Sequence, residues 1–468
     1  MQRTVKLLRI ALPIVFVAFV ILIITSWTRR VRGGGEAAVP VTSTQRPDDK
    51  AQAEAKSFED TQTIGGRVVS RIRAGRVVAF KSGWNTLEDV QMTIYRANGL
   101  TYELVCPQAQ FHTETKHAEA RGGVKVESSD GIMISTAELN FDGNRLTNNV
   151  AVQFRIDRWN GNAGAIDLDV AAETLKLLRR VTATMTPVTP VEPPTTLAGD
   201  EGLFRRREND VTFTRKVQMT RGADTVVADH VLGRFTQDRR QMVGLEGNGN
   251  VVIVMAQNLQ PGENLGGRKT ITCDRFFSEV TGDGQINAIN TVGDTRLAHA
   301  ILDGPPRRDL VARAFRIGIA NKALSDMRAT GEVVMKEIAD TTREIRTDLI
   351  TVNFDPVQHR ATTAFVEPFR YADGRSQASA FRANYDLAGD KLVLTADPGF
   401  DPTVTTDGNV IKAKRIEFSP RAQTAVATGQ VIAQLVPKGA PSADKSSLFP
   451  SGKPVFINAD NLNLKQAQ

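Results

Sequence analysis

The chain has 468 residues, 41% apolar and 24% charged, values that exclude disorder throughout and suit about two to three domains. Two cysteines and five histidines exclude a disulfide framework and leave little for a soft-metal site. Lys+Arg 59 against Asp+Glu 52 gives a net charge of +7, mild for this length, and four Tyr with three Trp are too few for base-stacking platforms.

From Ile10 to Thr28 no residue is charged. As a helix this stretch spans roughly 28 Å, enough for a bilayer core. Arg3, Lys6 and Arg9 precede it, Arg29, Arg30 and Arg32 follow it, and Trp27 sits where an interfacial aromatic belongs. A cleaved signal peptide would have a shorter apolar region followed directly by a small-x-small site. Here three arginines follow, and Ala37-Ala38 lies late. The expectation is a stub at 1–9, an uncleaved transmembrane anchor at 10–28, and a flexible tether at 29–60. The flanking charges balance and do not set orientation. Because the stub is too short to be a domain, the folded mass is expected after the anchor, outside the cytoplasm.

After Thr61 the apolar period is two. Leu100, Tyr102, Leu104 and Cys106 recur at every second position, as do Val152, Phe154 and Ile156, then Ile350, Val352 and Phe354, then Phe381, Ala383 and Tyr385. This is the pattern of strands with one buried and one wet face. Turn signals separate them, among them Ser129-Asp130-Gly131, Asp142-Gly143-Asn144 and Asp407-Gly408-Asn409. The best helical candidate, Val170 to Arg180, also fits a strand. The class is all-β and antiparallel by hairpin logic. Four prolines between Met185 and Gly199 point to an extended linker at 185–200, dividing a first module at 61–184 from a second at 201–468. Pro437 to Pro454 reads as a long loop before a final strand pair.

An Ala-x-Gly-x-Val pattern recurs at Ala120 (ARGGV), Ala329 (ATGEV) and Ala427 (ATGQV), with GNGNV at Gly247. Each copy is expected to open a strand, its glycine marking a bulge or tight bend. Repeats of this kind mean stacked hairpin units that bury apolar faces only on their neighbours. The product is a folded-over sheet with two layers and an apolar inside. Such a sheet has edges, and the last strand candidates, Val455–Ala459 and Leu462–Leu464, suit pairing with another protein.

The N-terminal anchor, GWNTLEDVQMTIYRANGLTYELVCPQAQFH (Gly83–His112) and ARGGVKVESSDGIMISTAELNFD (Ala120–Asp142) resemble the LptC family of periplasmic lipopolysaccharide-export proteins. The ATGxV copies and INADNLNL (Ile457–Leu464) resemble the related LptA/OstA-type family. The resemblance implies two elongated, open β-jelly rolls without catalytic function or cofactor, whose interior holds acyl chains. It implies a protein anchored in the inner membrane, with its bulk in the periplasm. Its partners would be lipopolysaccharide or a similar glycolipid, an inner-membrane ABC transporter complex, and a further bridge or outer-membrane translocon component at the C-terminal edge strand; nucleic acid is not among them. The chain departs from the family pattern by joining both modules. For such a groove Phe111, Ile132, Ile134, Leu139, Phe141, Phe154 and Ile156 are expected to point inward in the first module. Phe235, Ile317, Ile319, Phe354, Tyr385, Phe418 and Val431 are expected to do so in the second.

Two other classes remain: a membrane-anchored β-solenoid scaffold with a closed core and no lipid, and an extracytoplasmic polysaccharide hydrolase. The hydrolase needs converging carboxylates. Asp167, Asp169 and Glu173, or Asp397 and Asp401, are explained more simply as solvated strand faces, and no Asp-x-Asp-x-Asp-Gly calcium loop accompanies them. His112 and His117 are five apart with no nearby cysteine, so no metal site is expected. Cys106 and Cys273 lie on alternating strands and read as buried free thiols. Gly262–Gly267 lacks the Gly-Lys-Ser/Thr of a phosphate loop. Arg205–Arg207 and the Arg239-Arg240 pair suit either lipid phosphates or solvated turns.

Overall fold

The computed structural model describes residues 51–187, 193–237, 241–255, 268–281, 285–303, 307–320, 323–338, 342–355, 361–387, 389–419, 424–436 and 453–465. Within them every regular element is a β-strand, and every register described is antiparallel. The strands join in one hydrogen-bonded sheet. The expected anchor at 10–28, Gly262–Gly267, Arg239-Arg240 and most of the Pro437–Pro454 loop lie outside the described residues. Among the described residues no helix is long and apolar enough to cross a membrane. Residues Gln52–Ala79 and Gly83–Gln468 group as one unit. Residues 1–51 with Phe80–Ser82 group as another, described only at 51 and 80–82.

Several of the long strands bend at a corner. The strand Thr174–Met185 pairs through residues 174–178 with Ala165–Asp169, and through 182–185 with Trp159–Ala163. Its register shifts between Leu178 and Val181. Arg179 and Arg180 there are both left-handed (φ 62° and 59°). The same device recurs between Thr214 and Val217, Asn248 and Val251, Thr330 and Val333, and Thr428 and Val431. Each is a bulge, with one extra residue on the bent strand.

These corners account for the repeat. Ala329 and Val333, like Ala427 and Val431, are buried on either side of a corner. Gly331 and Gly429 take the first left-handed position (φ 74° and 79°), where a Cβ is unfavourable. The motif therefore sits in mid-strand and folds the sheet; it does not open a strand. Leu177 to Val181 and Phe213 to Val217 use the same inward spacing without glycine, with arginine and lysine exposed at the bend.

The bends divide the sheet into two layers. The first contains, among others, residues 101–105, 125–128 and 132–136, and the strands Val152–Ile156 and Trp159–Ala163. The second contains residues 108–111, 118–121 and 138–141, Ala165–Asp169, 174–178 and 201–205. Phe154 of the first layer meets Phe204 of the second edge to face, ring centroids 6.1 Å apart. The apolar faces turned toward each other form one buried cluster running in sequence from Ile72 to Ala433.

The proline-rich stretch does not interrupt the sheet. The strands Thr174–Met185 and Thr195–Arg205 on either side of it pair along their length. The first strand, Ala51–Ile64, starts inside the expected tether. Its apolar content is low, and side-chain ion pairs tie it to its neighbours: Glu54 to Arg76 (2.8 Å), Glu59 to Arg73 (3.1 Å) and Asp60 to Lys116 (3.3 Å).

Candidate functional site

The inward faces are the candidate site. Alternation places every second side chain inside, and the two-layer fold brings those side chains together. All seven residues expected inward in the first module are buried: Phe111, Ile132, Ile134, Leu139, Phe141, Phe154 and Ile156. In the second, Ile317, Phe354 and Val431 are buried, and Phe235 is half-buried against the cluster. Ile319, Tyr385 and Phe418 are half-buried and stand outside the packed cluster. Ile319 is the penultimate residue of the strand Ala314–Ala320, where cover from the other layer runs out. The Tyr385 hydroxyl donates to Asp390 Oδ1 (3.0 Å), and Phe418 is the penultimate residue of the strand Arg415–Ser419.

Two recesses open from the described part of the interior. The smaller is lined by Phe111, Leu139, Phe141, Met92 and Leu104 with their apolar neighbours. The larger has an open mouth. Its floor is Ile132, Ile156, Leu168, Leu175 and Phe204, with Phe235 and Trp159 on its walls, and Arg158, Arg205, Arg206, Asp157 and Glu173 stand around it. Six of the fourteen expected groove residues thus line a recess: Phe111, Leu139 and Phe141 the smaller, Ile132, Ile156 and Phe235 the larger.

Polar contacts cross the mouth of the larger recess. The Arg206 guanidinium, only 11% exposed, pairs with Asp130 and donates from Nη1 to the Tyr102 hydroxyl (3.2 Å). Asn98 Nδ2 donates to Glu173 Oε1 (2.9 Å), which also pairs with Arg207 (3.3 Å). Burial raises the Tyr102 hydroxyl pKa, and the Arg206 charge opposes that rise. Sequence reasoning singled out Arg205–Arg207 but not Tyr102, Asp130 or Asn98. Tyr102 reads as one more inward residue, and the other two as turn formers.

The acidic clusters resolve into local structure. Asp167 pairs with Arg145, Asp169 Oδ1 accepts from the Ala172 N–H (2.7 Å), and Asp401 pairs with Lys414 (2.8 Å). His112 and His117 both pack edge-on against Trp84, at 5.0 and 6.0 Å. No group of three or more potential metal ligands occurs among the described residues. Cys106 and Cys273 are free and buried, and burial raises their pKa to about 11 and about 12.

No protein-family model matches the chain, and no curated protein matches it. Among solved structures it is similar to LptH, the LptA homologous periplasmic component of the conserved lipopolysaccharide transport device from Pseudomonas aeruginosa. That similarity has 14% identity and a TM-score of 0.22, and covers 32% of this chain and 93% of that one.

Proposed function

We propose that the chain is a membrane-anchored, non-catalytic periplasmic bridge. It accepts lipopolysaccharide or a similar glycolipid from an inner-membrane ABC transporter and passes it along the apolar interior toward the outer membrane. The observation that carries this reading is the apolar cluster from Ile72 to Ala433 between two layers, with an apolar-floored recess opening from it. Each methylene buried there is worth about 0.8 kcal/mol, and a lining of similar affinity along its length lets a chain slide without a deep trap. The resemblance of Gly83–His112 and Ala120–Asp142 to lipopolysaccharide-export proteins supports the same reading. The final strand, Val455–Lys465, pairs with Thr424–Leu435 on one side, and Phe456 on it is 72% exposed. That edge suits pairing with the next bridge or translocon component.

One observation favours a closed-core scaffold: residues such as Ile134, Leu139 and Ile317 are at most 1% exposed. Mass spectrometry of lipids co-purifying with the full chain from its native membrane separates the two. The conduit reading expects glycolipid on the wild type and its loss from a folded Phe235→Asp variant, which puts a charge on the half-buried wall of the larger recess. A folded wild type free of lipid establishes the scaffold instead.

A further inference from the structure

The two lips of the interior are held together beside the larger recess by side chains alone. Asn98, Tyr102 and Asp130 belong to the first layer, and Glu173, Arg206 and Arg207 to the second. No strand pairing joins the segments that carry them. Arg206 is central, reaching over the mouth to a carboxylate and a phenol on the opposite lip.

We propose that this place is a ligand-operated port for an anionic amphiphile, a deepening that rests on the lipid-binding reading. The phosphate of the ligand exchanges for the Asp130 carboxylate on Arg206, and its acyl chain enters the recess over Ile132, Ile156, Leu175 and Phe204. A guanidinium binds phosphate and carboxylate through the same paired donors, so one replaces the other without rebuilding the site. The exchange is cheap because the Arg206–Asp130 pair is largely withdrawn from water, and desolvation offsets most of its attraction. Asp130 is not stranded when it leaves: it lies on a turn and accepts from Ser128 Oγ at 2.6 Å. The Tyr102 hydroxyl, which accepts from Arg206, still has its own proton to give to a phosphate oxygen. With Asp130 released, the lips lose one of the polar contacts that join them and keep Arg206–Tyr102 and Asn98–Glu173, so ligand binding loosens the hold between the layers.

The test is equilibrium dialysis of the full chain held in amphipol, with an amphipol blank, against octyl phosphate and the uncharged octyl glucoside. The port predicts that wild type binds octyl phosphate at least ten-fold more tightly than octyl glucoside. Arg206→Gln removes that advantage and leaves octyl glucoside unchanged. Asp130→Asn strengthens octyl phosphate binding three-fold or more, because the competing charge is gone. Should Arg206→Gln fail to fold, Asp130→Asn decides alone, since the amide keeps an acceptor for Ser128. Equal binding of both amphiphiles by all three proteins overturns the port and leaves the lipid-binding reading standing. Binding of neither amphiphile by a folded wild type overturns both.

Discussion

Gly161 lies in the strand Trp159–Ala163, opposite Phe154 on one neighbour and Ala183 on the other. A Cβ added there overlaps the Thr182 carbonyl oxygen and Phe154 Cζ, and stands 2.8 Å from Phe154 Cε1. Resting carbon–carbon separations are about 3.5–4.0 Å. The ring has nowhere to retreat, because it packs on Phe204 of the other layer, and the carbonyl is backbone. Overpacking of this kind costs about 1–3 kcal/mol, and a fixed carbonyl puts Gly161→Ala toward the upper end. Loss of glycine's extra freedom in the unfolded chain returns about 0.4–1 kcal/mol, leaving a net destabilisation of about 2 kcal/mol. Gly244 is the internal control, a strand glycine with no atom within 4 Å of an added Cβ. Gly244→Ala keeps the unfolded-state gain without the clash and is expected to stabilise by about 0.4–1 kcal/mol. Urea titration followed by tryptophan fluorescence, with Trp159 two residues from the substitution, reads both. A Gly161→Ala midpoint at or above that of wild type refutes the packing argument.

Two further outcomes follow from the buried thiols and one depressed carboxylate. With pKa values raised to about 11 and about 12 by burial, Cys106 and Cys273 are expected to resist a thiol-specific disulfide reagent at pH 8 in the native chain and to react fully in denaturant; rapid native labelling of either contradicts their placement. Asp274 is held down from 3.8 to about 2, first by the Thr295 N–H, then by the Arg296 N–H and the Thr295 hydroxyl. Its folded pKa lies below its unfolded one, so its contribution to stability is complete above pH 3.8 and disappears as pH falls through about 2. A carboxyl-carbon NMR titration of the native chain should place its midpoint near the lower figure, and a midpoint near 3.8 removes the turn contacts from the account.

The strands were legible because alternation is a local property: each inward residue declares itself two positions from the next. This is why the seven first-module residues from Phe111 to Ile156 are all buried where expected. Alternation gives the face but not the depth of cover, so Ile319 and Phe418, each the penultimate residue of its strand, are only half-buried. The corners were half legible. Glycine announced those at Gly331 and Gly429, yet a glycine in a strand pattern reads as a boundary, so the bend was placed at a strand start. The corners at Arg179-Arg180 and Arg215-Lys216 carry no such mark. The strand Ala51–Ile64 was hidden for another reason: it is mostly polar and exposed, and it is placed by pairing with the strand Arg67–Phe80. The contact of Arg206 with Asp130 and Tyr102 joins distant stretches of chain that only the folding-over of the sheet brings together.

The pairing pattern has a consequence for how such a chain is made and changed. Each strand bonds to strands only a few places away in sequence; Thr174–Met185, for instance, touches Trp159–Ala163, Ala165–Asp169 and Thr195–Arg205. The described ladder therefore contains no pairing of its beginning with its end. Segments already out of the ribosome hold every partner they need apart from the next hairpin, so order spreads along the chain in the direction of synthesis. By the same logic a bent hairpin is a countable unit. Inserting or deleting one between two corners changes how far the interior runs and leaves the units on either side with the neighbours they need.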